Sequence, residues 1–278
     1  MGAGMARNFL AKGFPLTVWN RTRSAAEPLG REGAAIATSP RELAAASDII
    51  VTSLSNPEAV AAVALGDDGL LAGARPGLRW IETSTIGPRA SREMAAAAQA
   101  RGVEYLEAPV TGSKNGARDG TLLVMTGGPQ ALHDELEPVI RAFAAKVIRV
   151  GGTGQASIMK LIGNSLISFM LEGLSEAAVM GDKAGIPMEK MLEVVQASGF
   201  ASPYWSFKGT AMARRDFETH FSLDLLHKDQ ALMLALAEEK GVAMPGLAAV
   251  HGMTGKARAL GLGGEDIAAQ VKAVEVGS

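Results

Sequence analysis

The sequence predicts an α/β protein: a doubly wound, mostly parallel sheet covered by helices, followed by an all-helical domain. Two observations carry that prediction. In the first half, short apolar runs alternate with Ala-rich helical stretches, and the runs are apolar on both faces, as strands buried beneath helices on either side must be. After the stretch Arg149-Val150-Gly151-Gly152-Thr153-Gly154-Gln155 the alternation stops and every further segment reads helical. The domains are accordingly 1–152 and 153–278.

Taken in order, Met5–Lys12 reads as an amphipathic helix and Leu16–Trp19 as a buried strand, with no strand ahead of them. Strands follow at Asp48–Ser53, Arg79–Glu82, Val103–Leu106, Thr121–Met125 and Val147–Val150. Helices are expected at Ser24–Glu32, Pro40–Ala46, Pro57–Leu65, Ser91–Ala100 and Pro129–Phe143. Ser39-Pro40 and Asn56-Pro57 are cap-then-proline starts: the side chain takes an unpaired amide and proline fills the first turn. A long helix then runs from Ala156 to about Ala184, with later breaks at Gly185-Ile186-Pro187, Ser202-Pro203 and Met244-Pro245-Gly246. It is apolar nearly all round, which points to burial between layers, domains or subunits. Lys160 and Asn164 nevertheless lie one turn apart on it, with Ser157 and Ser168 extending the same polar stripe. That stripe is either solvated or the lining of a cleft.

Bulk properties narrow the chemistry. The 278-residue chain is 47% hydrophobic and 20% charged with a net charge of -2, the profile of an ordinary globular protein. No apolar run reaches the roughly 18 to 20 residues that span a bilayer, and the N-terminus has no secretory pattern. No basic tract is concentrated enough to mark nucleic acid as a partner. Without cysteine there is no disulfide, thiolate catalysis or thiolate metal site. His133, His220, His227 and His251 are scattered, without the pairing of a helical zinc site, so no metal is expected. Chemistry is left to Lys, Ser, Thr, Asn, Asp or a bound cofactor.

Four stretches could supply it. At the start, Gly2 and Gly4 sit where the glycine turn of a Rossmann-type unit would end and hand a phosphate to the next helix. After Leu16–Trp19 come Asn20, Arg21 and Thr22, donors where an NAD site would carry a carboxylate; the Arg reads as a partner for the 2′-phosphate of NADP or as a solvated turn residue. Thr83, Ser84 and Thr85 follow a strand, either as helix caps or at the ligand-facing edge of the sheet. In the loop Pro109–Lys114, Thr111 and the amides of Gly112 and Ser113 form either a carboxylate-binding concavity or a polar turn, with Asn115-Gly116 favouring a turn.

In this order the stretches resemble the β-hydroxyacid dehydrogenase family, over nearly the whole chain. The end of its cofactor motif stands as Met1-Gly2-Ala3-Gly4-Met5-Ala6, its substrate-loop motif as Glu107-Ala108-Pro109-Val110-Thr111-Gly112-Ser113, its catalytic motif as Gly151, Gly154, Ala156, Lys160 and Asn164, and its C-terminal pair as Lys228-Asp229. The wording is nearest the glyoxylate/succinic semialdehyde reductase group. The resemblance implies a reductase or dehydrogenase of small carboxylate-bearing aldehydes, keto acids or β-hydroxyacids. Lys160 and Asn164 would be catalytic, and Thr111, Gly112, Ser113, Phe221 and Asp229 would bind substrate. Met1, Gly2, Asn20, Arg21, Thr22, Leu54, Thr85 and Lys228 would hold NADP, with NAD as the alternative cofactor. A cytoplasmic homodimer or homotetramer is implied, with a small carboxylate substrate and neither nucleic acid nor membrane as partner. Three departures stand out: Thr111 for the commoner Ser, Ala156 for Gly, and the absent first strand. The expected origin of the last is a start assigned at an internal Met1, with about ten residues, one strand and its turn, upstream. An imine reductase-like enzyme and a non-catalytic or truncated scaffold member are the alternative readings; Lys160 with Asn164 argues against the imine reductase, Lys160 against a member that has lost catalysis, and the truncated reading stays open.

Overall fold

The computed structural model describes residues 1–277. The first element is α1 (Gly2–Ala11), followed by β1 (Thr17–Val18), α2 (Glu27–Arg31), β2 (Ala35–Ile36), α3 (Pro40–Ala45) and β3 (Ile49–Thr52). Then come α4 (Pro57–Leu65), α5 (Leu70–Gly73), β4 (Arg79–Glu82), α6 (Gly87–Gln99), β5 (Glu104–Glu107) and β6 (Val110–Thr111). The α/β half closes with α7 (Ser113–Asp119), β7 (Leu122–Gly127), α8 (Gln130–Ile140) and β8 (Ala144–Gly151). Helices follow: α9 (Gln155–Lys183), α10 (Met188–Ala197), α11 (Pro203–Arg214), α12 (Leu223–Lys240), α13 (Pro245–Ala259) and α14 (Gln270–Glu275). The chain divides into two compact units, Met1–Lys160 and Leu161–Ser278.

In the first unit, β3, β4 and β5 are parallel neighbours, and β7 with β8 forms a second parallel pair that joins β5 antiparallel. Side chains alternate across the sheet as the pleat demands. Ile81 and Leu106 face a core with Met5, Phe9, Leu122 and Phe143, whereas Trp80 and Tyr105 face another with Ile50, Leu78 and Met94. Helices thus cover both faces, the doubly wound arrangement. The two cap-then-proline starts form: Ser39 Oγ accepts the Glu42 amide at 3.1 Å and Asn56 Oδ1 the Ala59 amide at 2.7 Å. The second unit packs around Leu171, Leu174, Leu192, Met212, Leu223 and Leu226.

β1 and β2 form a parallel pair separate from the other six strands. The structure corrects three expectations. β2 itself was not expected; its small residues, Ala35 and Ile36, carry no strong strand pattern and are ordered by pairing with Thr17 and Val18. The stretch Pro109–Lys114 is not a plain loop, since Val110 and Thr111 pair with Val124 and Leu123. Asn115-Gly116 is not a turn but lies inside α7, where Gly116 is buried and a Cβ there would come within 3.0 Å of Leu122 Cδ2. Packing against β7 overrides the local turn preference.

Candidate active site

The carboxyl ends of β1, β3 and β4 collect most of the expected cofactor residues. Asn20, Arg21 and Thr22 are exposed just beyond β1, and the Thr22 amide donates to Asn20 Oδ1 at 2.9 Å, which folds the three into a tight turn. Beyond β3, the Leu54 amide donates to Ser84 Oγ at 2.7 Å, tying this loop to the one that carries Thr85. A Cβ on Gly2 would lie 3.5 Å from Ser53 Cβ, so the first turn of α1 borders the same loop. That turn has no side-chain cap and no acidic residue, and its positive end suits an anion. Burial and the positive charge of Lys114 both lower the Met1 amino group's pKa, burial the more strongly. Donors, an uncapped helix start and cationic side chains fit a dinucleotide phosphate chain. Gly4 serves a different purpose. A Cβ there would meet the Ala117 backbone at 2.8 Å, and Asn8 Nδ2 donates to the Ala117 carbonyl at 2.7 Å, so this glycine lets α1 lie against α7.

Two buried carboxylates lie behind these loops; Glu82 does not stand out in the sequence, and Glu107 does so only as the acidic residue that opens the substrate-loop motif. Glu82 closes β4. Its Oε1 accepts the Ser84 amide at 2.6 Å and its Oε2 the Thr52 hydroxyl at 2.6 Å. Trp80 Nε1 donates to that same hydroxyl at 2.7 Å, so Thr52 passes its own proton toward Glu82. Burial outweighs these bonds and pushes the Glu82 carboxyl up to about 7. Glu107 closes β5, accepting two amides and two hydroxyls. A glutamate ending an otherwise apolar strand, as in Arg79-Trp80-Ile81-Glu82 and Tyr105-Leu106-Glu107, is the signal that would have found both.

Beyond Glu107, Thr111 and Ser113 are half-buried. Gly112 (φ +130°) and Ser113 (φ +58°) both hold left-handed backbone, at Ser113 against the preference of a residue with a Cβ. Strain of this kind persists where surrounding contacts enforce it and clusters at ligand-binding loops. On α9, Ser157, Asn164 and Ser168 are buried and Lys160 is half-buried, which places the polar stripe inward rather than in solvent.

In the second unit, Asn164 Nδ2 donates to Asp229 Oδ2 at 2.6 Å, and Lys228 Nζ lies 2.8 Å from Asp229 Oδ1. The bond to Asp229 fixes the amide, leaving Asn164 Oδ1 as the acceptor end. Asp229, expected against substrate, is 3% exposed and engaged at both oxygens, holding Asn164 and Lys228. Phe221 is half-buried, with its amide donating to Asp266 Oδ2 at 3.1 Å.

Fold and site together define a nicotinamide-dependent oxidoreductase, and comparison with known proteins agrees. Residues 1–152 match the NAD binding domain of 6-phosphogluconate dehydrogenase, and residues 152–274 match the NAD-binding domain of NADP-dependent 3-hydroxyisobutyrate dehydrogenase. The chain is 34% identical to glyoxylate/succinic semialdehyde reductase 1 of Arabidopsis thaliana, covering 99% of this chain and 95% of that one. It is 33% identical to 2-(hydroxymethyl)glutarate dehydrogenase of Eubacterium barkeri, covering 99% and 92%. The crystal structure of 3-hydroxyisobutyrate dehydrogenase from Salmonella typhimurium superposes with a TM-score of 0.89 at 30% identity, covering 98% of this chain and 95% of that one. The chain belongs to the β-hydroxyacid dehydrogenase family, and it is an NAD(P)-dependent dehydrogenase or reductase of CH–OH groups.

Proposed function

We propose that this protein is an NADPH-dependent reductase of a small carboxylate-bearing aldehyde or keto acid, able to run in reverse on the β-hydroxyacid, with Lys160 as the proton donor. The observation that carries the reading is the inward stripe of α9: a half-buried Lys160 one turn from a buried Asn164 whose amide is fixed by Asp229. When bound, the reduced nicotinamide supplies the hydride. As the carbonyl oxygen gains negative charge, the Lys160 ammonium donates a hydrogen bond to it and then its proton; in alcohol oxidation the neutral amine takes the proton back. Asn164 Oδ1 accepts from the Lys160 ammonium or the substrate hydroxyl and so orients the pair. The Thr111 hydroxyl and the amides of Gly112 and Ser113 hold the substrate carboxylate. Phe221 supplies apolar wall to the substrate.

Arg21 in its exposed turn supports NADP over NAD, because no carboxylate stands there to hold a ribose 2′-hydroxyl and a guanidinium does pair with a 2′-phosphate. Met1, Gly2, Leu54, Thr85 and Lys228 complete the cofactor reading. The names of the Arabidopsis and Eubacterium relatives make glyoxylate, succinic semialdehyde and branched hydroxyacids the first substrates to try.

The working form is a cytoplasmic homodimer or homotetramer, with neither nucleic acid nor membrane as partner. Large apolar side chains on the outer face of α9, namely Met159, Ile162, Leu166, Phe169 and Met180, are exposed in the single chain and support self-association. No helix among the described residues is long and apolar enough to cross a membrane. A panel of these substrates with NADPH and NADH tests the reading; turnover with none of them, or equal preference for NADH, contradicts it.

A further inference from the structure

Glu107 places a buried carboxyl group, 1% exposed, at the end of β5. Its Oε1 accepts the amides of Gly154 at 2.7 Å and Ala156 at 2.8 Å, two of the donors that open α9. Its Oε2 accepts the hydroxyls of Ser157 at 2.7 Å and Ser91 at 2.6 Å. Amides can only donate, so all the bonding at Oε1 is that of an acceptor, and the positive end of a 29-residue helix faces it. Behind the carboxylate stands Gly127, its register partner on β7, where a Cβ would fall 2.1 Å from Oε1. Space has been left for this group by omitting a side chain.

Two features of that arrangement bear on chemistry. Ala156, gripped through its amide, is one helical turn before Lys160, so the carboxylate fixes the turn from which the lysine projects. Thr111, Gly112 and Ser113 begin four residues beyond Glu107 on the same strand end, so the carboxylate-holding turn shares the anchor. We propose that Glu107 is the positioning residue of the active site, setting Lys160 at the start of α9 in register with the Thr111–Ser113 turn. The proposal rests on the reading of Lys160 as proton donor. Glu107 touches no reacting atom; it acts through the first turn of α9, where a shift of about 1 Å in the donor can cost on the order of 100-fold in rate.

The test compares Glu107→Asp, Glu107→Gln and Lys160→Ala in the full chain. Asp withdraws the carboxylate by one methylene and loses the amides. Gln keeps the reach, and the serine hydroxyls can rotate to accept from its amide. Glu107→Asp is expected to lower kcat on the order of 100-fold and Glu107→Gln about tenfold, with the NADPH dissociation constant within about twofold of the wild type. Hydrogen exchange in the cofactor-free protein should show faster exchange at the Gly154 and Ala156 amides, with the remaining amides unchanged. If Lys160→Ala is inactive while Glu107→Asp keeps the wild-type kcat, the positioning role is overturned and the Lys160 reading stands. If Lys160→Ala turns over at the wild-type rate, both fall. Should Glu107→Asp fail to fold, Glu107→Gln decides: an unchanged kcat, or equal losses in kcat and NADPH affinity, overturns the proposal.

Discussion

Two single residues carry predictions of different kinds: Arg21 bears on the proposed choice of cofactor, and Glu82 on stability. Arg21 is exposed beside Asn20 and Thr22, a position from which it can meet a phosphate without first breaking a buried contact. A hydrogen bond to a charged group contributes about 1.5–3 kcal/mol, so Arg21→Ala is expected to raise KM for NADPH roughly ten- to hundredfold and leave NADH nearly unaffected. Parallel changes with both cofactors, measured by steady-state kinetics, would count against the phosphate role. Glu82 makes a stability prediction instead. Its carboxyl is raised from 4.5 to about 7 in the folded chain, chiefly by burial, so the native state holds a proton that the unfolded state releases across that interval. The stabilisation is therefore full below 4.5 and lost as pH rises through about 7, a change on the order of 3 kcal/mol. Urea unfolding at about pH 5 and about pH 8 should show Glu82→Gln losing less stability than the wild type over that span; identical losses would contradict the assignment. At this scale the sequence was uneven in what it disclosed. Lys160 and Asn164 were legible because helical spacing alone puts them on one face. Glu82 was not, and Glu107 only as the first letter of a motif, because a charge at a strand end reads as a surface residue until the fold covers it.

At the scale of elements, the contact of α1 with α7 is the least expected and the most testable. Gly4 reads in sequence as part of a phosphate turn, yet its missing Cβ is what lets α1 approach the Ala117 backbone. Gly4→Ala would force these helices apart, and overpacking of that kind costs about 1–3 kcal/mol. Thermal unfolding should register this loss, whereas a stable variant with weakened NADPH binding would return Gly4 to the phosphate site. The same contact explains why α7 was hidden. Asn115-Gly116 is a turn signal locally, and only the packing of Gly116 on Leu122 and of Asn8 on the Ala117 carbonyl turns the segment helical. β2 and β6 were hidden for a related reason, since each is a two-residue strand ordered by a partner distant in sequence. Strands with long apolar runs and helices with cap-then-proline starts carried their own signals, and Arg79–Glu82 and Pro57–Leu65 came out with the expected bounds.

For the whole molecule, the proposals give the outer face of α9 and its inner stripe two separate purposes on one helix. Leu166 is 58% exposed between Ile162 and Phe169, and a charge there would face any apposed copy. The wild type is expected to sediment as a dimer or tetramer and Leu166→Glu as a monomer in analytical ultracentrifugation; a monomeric wild type would dismiss the self-association proposal. The proposed chemistry belongs to the inner stripe. Its role is tested most directly by single-turnover reduction of glyoxylate or succinic semialdehyde with prebound NADPH, comparing the wild type with Lys160→Ala. The expected result is hydride transfer slowed by about 10²- to 10⁴-fold with NADPH affinity kept; transfer at the wild-type rate would show that Lys160 is not the proton donor.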